Sequence, residues 1–100
     1  IIILYIIIMA YKIKKQQYAL ASNHNVSIKP SQNKNKKIDV FKDKKLVASI
    51  GAKGYKDFAT YIEEKGITYA KERRRLYRIR HKGENLKIGS PGYYAWYLLW

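Results

Sequence analysis

Cysteine is absent from this chain of 100 residues. Its absence excludes a disulfide scaffold, a thiolate zinc site and a thiol nucleophile. Acid is scarce as well. Seven Asp and Glu stand against 21 Lys and Arg, which leaves a formal net charge of +14. No group of carboxylates has the convergent spacing that a metal-dependent nuclease needs. Glu63 and Glu64 are simply adjacent on one predicted helix. Histidine occurs only as His24 and His81, in unrelated contexts. No H-E-x-x-H, paired-cysteine or Ser-His-Asp spacing is present. We therefore expect no catalytic residue, no cofactor and no metal, and read the chain as a non-enzyme. Long apolar runs are missing too. The longest opening run, residues 1–8, falls well short of the roughly 20 residues of a spanning helix. No basic residue precedes it, as a secretory signal requires. No membrane span is expected.

Residues 1–8 are read as upstream read-through or a non-native extension, with Met9 as the true start. An added strand or the end of a truncated anchor are the alternatives. Such a run is an aggregation hazard unless paired or buried. Residues 9–25 are read as a basic N-terminal segment, and residues 26–100 as one small basic domain. At 11.8 kDa and 47% apolar residues, one thin core is what the chain can build.

What the chain has in quantity is lysine, isoleucine, tyrosine and asparagine, 45 residues together. Their codons are A/T-rich, so the lysine count alone carries little weight. Position carries more. Residues 12–15 sum to +3, residues 29–45 to +5 and residues 71–82 to +6, while 46–70 and 83–100 are each neutral. Blocked charge points to a polyanionic partner. An anionic membrane surface or an acidic protein would also suit it.

Residues 11–20 are ambiguous between a strand and a helical turn. Asn23-His24-Asn25 reads as a turn. Val26–Lys29 alternates as an edge strand closed by Pro30. Residues 31–37 contain no apolar side chain and read as a mobile basic loop. Lys37–Lys42 and Leu46–Ile50 form a hairpin. A three-residue turn, Asp43-Lys44-Lys45, places Ile38, Val40, Leu46, Ala48 and Ile50 on one face. Asp39, Phe41, Val47 and Ser49 take the other. Tyr55–Lys65 reads as a helix stopped by Gly66, and Ile67–Lys82 as the longest helix. The aromatic stretch after Ser90-Pro91-Gly92 must pack as a short helix or an extended tail. The fold class expected is α+β: about three antiparallel strands, with a β-hairpin, covered by two or three helices. The Tyr69/Leu76/Tyr77 stripe and the C-terminal aromatics would cover the sheet.

The long helix is the strongest functional candidate. Tyr69, Ala70, Leu76 and Tyr77 form an apolar stripe. Lys71, Arg74, Arg75, Arg78 and Lys82 form a separate cationic one. Like charges so spaced repel, and a polyanion relieves the repulsion. All five arginines lie within residues 73–80, and the guanidinium fork suits phosphate. Pairing with Glu63, Glu64 or Glu72 is the structural alternative. Arg73 and Arg80 border the apolar stripe, with Asp39 or Asp57 as expected partners. Lys53, in the turn Gly51-Ala52-Lys53-Gly54 before a helix, is a second candidate for an anion. The turn lacks the spacing of either glycine-rich nucleotide motif. Asp57 is placed to cap the following helix. Lys34, Lys36 and Lys37 of the basic loop are further candidates. Tyr55, Tyr61, Tyr69, Tyr77, Tyr93, Tyr94, Tyr97, Trp96 and Trp100 are either core or stacking platforms for unpaired bases.

Three segments in order carry a resemblance: Gly51–Phe58, Arg73–His81 and Gly92–Trp100. The set resembles a family of small, basic, uncharacterised proteins, a domain of unknown function, from large eukaryotic DNA viruses and some tailed phages. The likeness covers about residues 26–100. It departs at residues 16–25 and at Tyr97, where a polar or basic residue is common in that family. It implies a viral setting, virion or infected-cell interior, and no activity. Together with the charge blocks it gives the expected function: sequence-tolerant nucleic-acid binding through phosphates. The alternative is a minor virion protein docking an acidic viral protein on the same surface.

Overall fold

The computed structural model describes residues 11–100, so the expectations for residues 1–8 lie outside the described residues. Its elements are α1 (Lys15–Asn23), β1 (Ser27–Pro30), β2 (Lys36–Lys42), β3 (Lys45–Ala52), α2 (Phe58–Lys65), α3 (Ile67–Arg80), a 3-10 turn (Glu84–Leu86) and α4 (Pro91–Leu98). The strands form one antiparallel sheet in the order β1-β2-β3. The fold is α+β, as the sequence predicts, with one helix more than expected.

That extra helix is α1. Ile13, Gln17 and Ala21 recur every four residues and all are buried. A glutamine at the central core position hides the helical period from a hydropathy reading. Gln17 is only 1% exposed, so its amide must be satisfied. Its oxygen accepts from the Lys14 amide at 2.8 Å, and its nitrogen donates to the Tyr11 hydroxyl at 3.0 Å. The helix ends in a Schellman motif. The amides of Asn25 and Val26 donate to the carbonyls of Ser22 and Ala21, and Asn25 takes the left-handed conformation at φ +58°.

One sheet face is apolar. Ile28, Ile38, Val40, Ala48 and Ile50 pack with Ile13 and Ala21 before and around α1, and with Tyr94, Leu98 and Leu99 of the α4 region. The C-terminal aromatics therefore do cover the sheet. The α3 stripe does not: Ala70 and Tyr77 are buried elsewhere, and Tyr69 is exposed. Ser90 caps α4 through the Tyr93 amide, and Pro91 occupies its first turn. The ring of His24 at the end of α1 meets Tyr97 at 4.7 Å.

The hairpin tip departs from expectation. Lys42 pairs with Lys45, so the turn has two residues, Asp43 and Lys44, both at positive φ (51° and 66°). This is the type I′ geometry that matches strand twist. The face problem is solved by a bulge. Phe41 pairs with Leu46, Val40 with Ala48, and Val47 is the extra residue. The bulge restores the expected pairing of Val40 with Ala48 and Ile38 with Ile50. It also removes Leu46 from the core face and leaves it 57% exposed. On the opposite face Asp39 accepts from Ser31 (2.6 Å), Ser49 (2.7 Å) and the Gln32 amide (3.2 Å).

Two long-range devices join the helices to the sheet. Asp57 caps α2 by accepting from the Thr60 amide at 3.0 Å. Its other oxygen accepts from the Tyr11 hydroxyl at 2.5 Å and from the Lys37 ammonium at 3.1 Å. Nearby, Gly51 sits at φ +77°, where a Cβ would lie 2.8 Å from Leu99 Cδ1 and 3.0 Å from Lys37 Cδ. A larger residue here would crowd both side chains and take a strained backbone.

Burial pushes the Asp57 carboxyl up, but the Tyr11 hydrogen bond, the Lys37 charge and the Thr60 contacts outweigh it and hold it below the ordinary value. For Asp39, burial is likewise overcome by the two serines and the Gln32 amide. Both groups are depressed in the folded state. Their stabilisation is present above the unfolded carboxylate value, about 3.9, and is lost as pH falls through the folded values. Thermal melts taken from neutral to strongly acid pH should show this acid limb, and Asp57→Asn should flatten it. Asp57→Ala should cost about 3–5 kcal/mol in urea denaturation, because it strands the Lys37 ammonium. Gly51→Ala should cost about 1–3 kcal/mol.

Candidate nucleic-acid interface

Gly66, at φ +87°, separates α2 from α3 and serves both. Its amide donates to Ile62 and its carbonyl accepts from Ala70. The fully buried Ala70 permits the close approach of the two helices. Around it the contact is cation on ring. The Arg73 guanidinium lies 5.5 Å from the Tyr61 ring centre, and that of Arg74 lies 4.2 Å from Phe58. Tyr61 and Tyr69 meet at 5.6 Å.

The predicted cationic stripe is a single surface. Lys71, Arg74, Arg75, Arg78 and Lys82 line one open groove together with Ile79. Their environments differ. Lys71, Arg75 and Lys82 are exposed. Arg75 forms a two-pronged pair with Glu72, at 3.0 and 2.6 Å. Glu72 is therefore a real partner, as the structural alternative expected, while Glu64 pairs with Lys56 at 3.0 Å. Arg78 reaches inward. It donates to the Trp100 carbonyl at 3.2 Å and lies 5.2 Å from the Trp96 ring. Its Nε is buried with no hydrogen-bond partner. Burial, then the Arg74 charge, depress its pKa, with Tyr97 opposing. Arg74 and Arg78 are thus held in place by rings and Arg75 by Glu72, while Lys71 and Lys82 stand exposed.

The remaining candidates lie elsewhere. Lys37 requires correction. It is in β2, not in a mobile loop, and is 6% exposed. Its ammonium is committed to Asp57, so it is not a surface phosphate contact. Lys36 is a half-buried β2 residue paired with Ala52. Lys34 is exposed in the loop between β1 and β2. That loop is itself ordered by hydrogen bonds from the Asn33 amide to Ser31 and from the Asn35 amide to Asn33. Lys53 lies in the turn after β3, where its amide donates to Asn35. The helix that follows starts only at Phe58, and the Asp57 carboxylate fills its N-terminus. The glycine turn therefore does not present a helix end to an anion.

Arg73 and Arg80 do not meet Asp39 or Asp57, whose partners are given above. With Tyr77 they line a second feature, a cavity of about 400 Å³ between α3, the end of β3 and the C-terminal residues. Tyr77 is the centre of a three-ring stack, with His81 at 4.1 Å and Trp100 at 4.5 Å. The His81 Nδ1 lies 2.9 Å from Glu84. Burial, then the Glu84 charge, push the Tyr77 phenol up to about 12, with Arg80 opposing. Tyr55, Tyr61, Lys56 and Gly51 complete the wall. The spacing of Arg73, Tyr77 and Arg80, at i, i+4 and i+7, is the signal in the sequence for this second flank. Its other walls come from residues distant in the chain.

Among the described residues no cluster of His, Asp or Glu could hold a metal ion, and no helix is long and apolar enough to cross a membrane. The Tyr77–Trp100 contact is the seam between α3 and the sheet domain. Trp100→Ala should lower stability by about 2–3 kcal/mol in denaturant titration, less than a fully buried Trp would. It should also remove part of the near-ultraviolet circular dichroism. Comparison with protein-family models, with curated proteins and with solved structures gives no match to this chain.

Proposed function

We propose that the protein is a non-enzymatic, sequence-tolerant nucleic-acid-binding protein that grips phosphates with the outer face of α3. The observation that carries this reading is the groove itself. Five cations line it with no acid among the lining residues, and Glu72 pairs with one of them, Arg75. From Lys71 to Lys82 the face is roughly 16 Å long at helical rise. The cations repel one another while no polyanion is bound. Phosphates remove that repulsion and release counterions. Ring-held Arg74 and Arg78 offer donors in fixed positions, which lowers the ordering cost of binding. Among the described residues no Asn or Gln lines the groove, so the contacts would position the backbone without reading sequence. The viral setting, in the virion or the infected cell, rests on the resemblance of the three segments.

The test is affinity for duplex DNA across a salt series. Lys71→Ala/Arg75→Ala/Lys82→Ala is the informative triple variant, because all three side chains are exposed and the fold should survive. Its log–log salt slope should be shallower by about 3 units, one for each lost phosphate contact. Glu72→Gln should tighten binding about twofold, the scale of one surface ion pair. Wild-type protein that fails to bind at low salt, or a triple variant that binds as wild type does, would overturn the assignment. Complete absence of binding would favour the acidic protein partner.

A further inference from the structure

We infer that the cavity behind α3 takes one unpaired nucleobase with its phosphate, so that the protein prefers single strands to duplexes. The inference rests on the proposed phosphate-binding role and adds a second site to it. The cavity, about 400 Å³, lies in the range of small-ligand sites, roughly 300–1,000 Å³. Among the described residues no Asp or Glu lines it. Aromatic rings and cations make up most of its surface, with Ala52, Ala95 and Leu99 between them. A planar ring that carries a negative charge satisfies both, whereas a plain carboxylate satisfies only the cations.

Four rings have separable roles. Tyr77 and Trp100 are nearly parallel, 10° apart, and Tyr61 is packed against Trp100 at 6.2 Å. These three are fixed. Tyr55 is different. It is 76% exposed, and among the described residues it makes no ring contact and no side-chain hydrogen bond. A bare tyrosine on the wall of an aromatic cavity, next to Lys56, is suited to close over a base. Arg73 and Arg80 supply the charge. Among the described residues neither is paired with a carboxylate, although both face the cavity.

The preference for single strands follows from placement. At 100° per residue, Arg73, Tyr77 and Arg80 lie on nearly the opposite side of α3 from Lys71 and Arg75. A stiff duplex can engage the outer groove but cannot also wrap the helix. Its bases are stacked and paired, so none can enter the cavity. A flexible single strand can do both.

The experiment uses the full chain with three probes: a homothymidine strand, the corresponding duplex, and thymidine monophosphate. Wild type should bind the strand more tightly than the duplex, and the strand should quench tryptophan emission more than the duplex does. Tyr55→Ala should weaken strand binding by about tenfold and leave duplex binding unchanged. Tyr55→Phe should behave as wild type, since it keeps the ring. The monophosphate should compete only weakly, because it cannot reach the groove. If strand and duplex bind equally and Tyr55→Ala changes neither, this inference falls and the groove reading stands. If the monophosphate binds as tightly as the strand, the cavity serves a free nucleotide and the strand preference is wrong. If no probe binds, the groove reading falls and takes this inference with it.

Discussion

The hydrogen-bonded carboxylate of Asp57 is the constraint on which the other contacts depend. One side chain, 1% exposed, joins three stretches of chain: Tyr11 before α1, Lys37 in β2 and the first turn of α2. The carboxylate is buried at a cost that only full satisfaction offsets. It has that satisfaction, from a hydroxyl, an ammonium and a backbone amide. Tyr11 is fixed in turn by Gln17, so the register of α1 is tied to the same point. Burial and then the adjacent Asp57 push the Tyr11 phenol up, which keeps it a donor throughout the physiological range. The cap also sets the direction of α2. Through Gly66 it sets the course of α3, and so the orientation of the basic groove relative to the sheet.

A protein this poor in acid has to settle most of its cations by other means. Asp57 and Glu72 account for Lys37 and Arg75. Arg73, Arg74 and Arg78 lie instead against Tyr61, Phe58 and Trp96. A ring face holds a guanidinium without neutralising it. The positive field of α3 therefore survives in a packed structure, as it would not if each arginine met a carboxylate. The abundance of tyrosine and tryptophan and the scarcity of acid are two sides of one arrangement.

Much of this could be read from the sequence, and the failures have definite causes. The cationic stripe, the Asp57 cap, the role of Gly66 and the apolar strand faces all follow from local spacing. Gln17 concealed α1 because a polar residue at a core position breaks hydropathy periodicity. The hairpin turn reads as three residues because a regular ladder would need that length, whereas a bulge corrects the face mismatch of a two-residue turn. Lys37 reads as the end of a basic loop because the six residues before it are all polar. Its burial is decided by Asp57, twenty residues away. The cavity was illegible for the same reason: its walls come from α3, the end of β3 and the last residues of the chain.

The bulge at Val47 and the left-handed Gly51 both fall on β3, which is an edge of the sheet. The other edge, β1, ends at Pro30, which has no amide hydrogen to donate. Each open edge is thus bent or blunted against strand addition. Copies drawn to one polyanion would be crowded with their charges screened, the condition in which sheets fuse. Irregular edges would keep the sheets of neighbouring copies from joining at any such crowding.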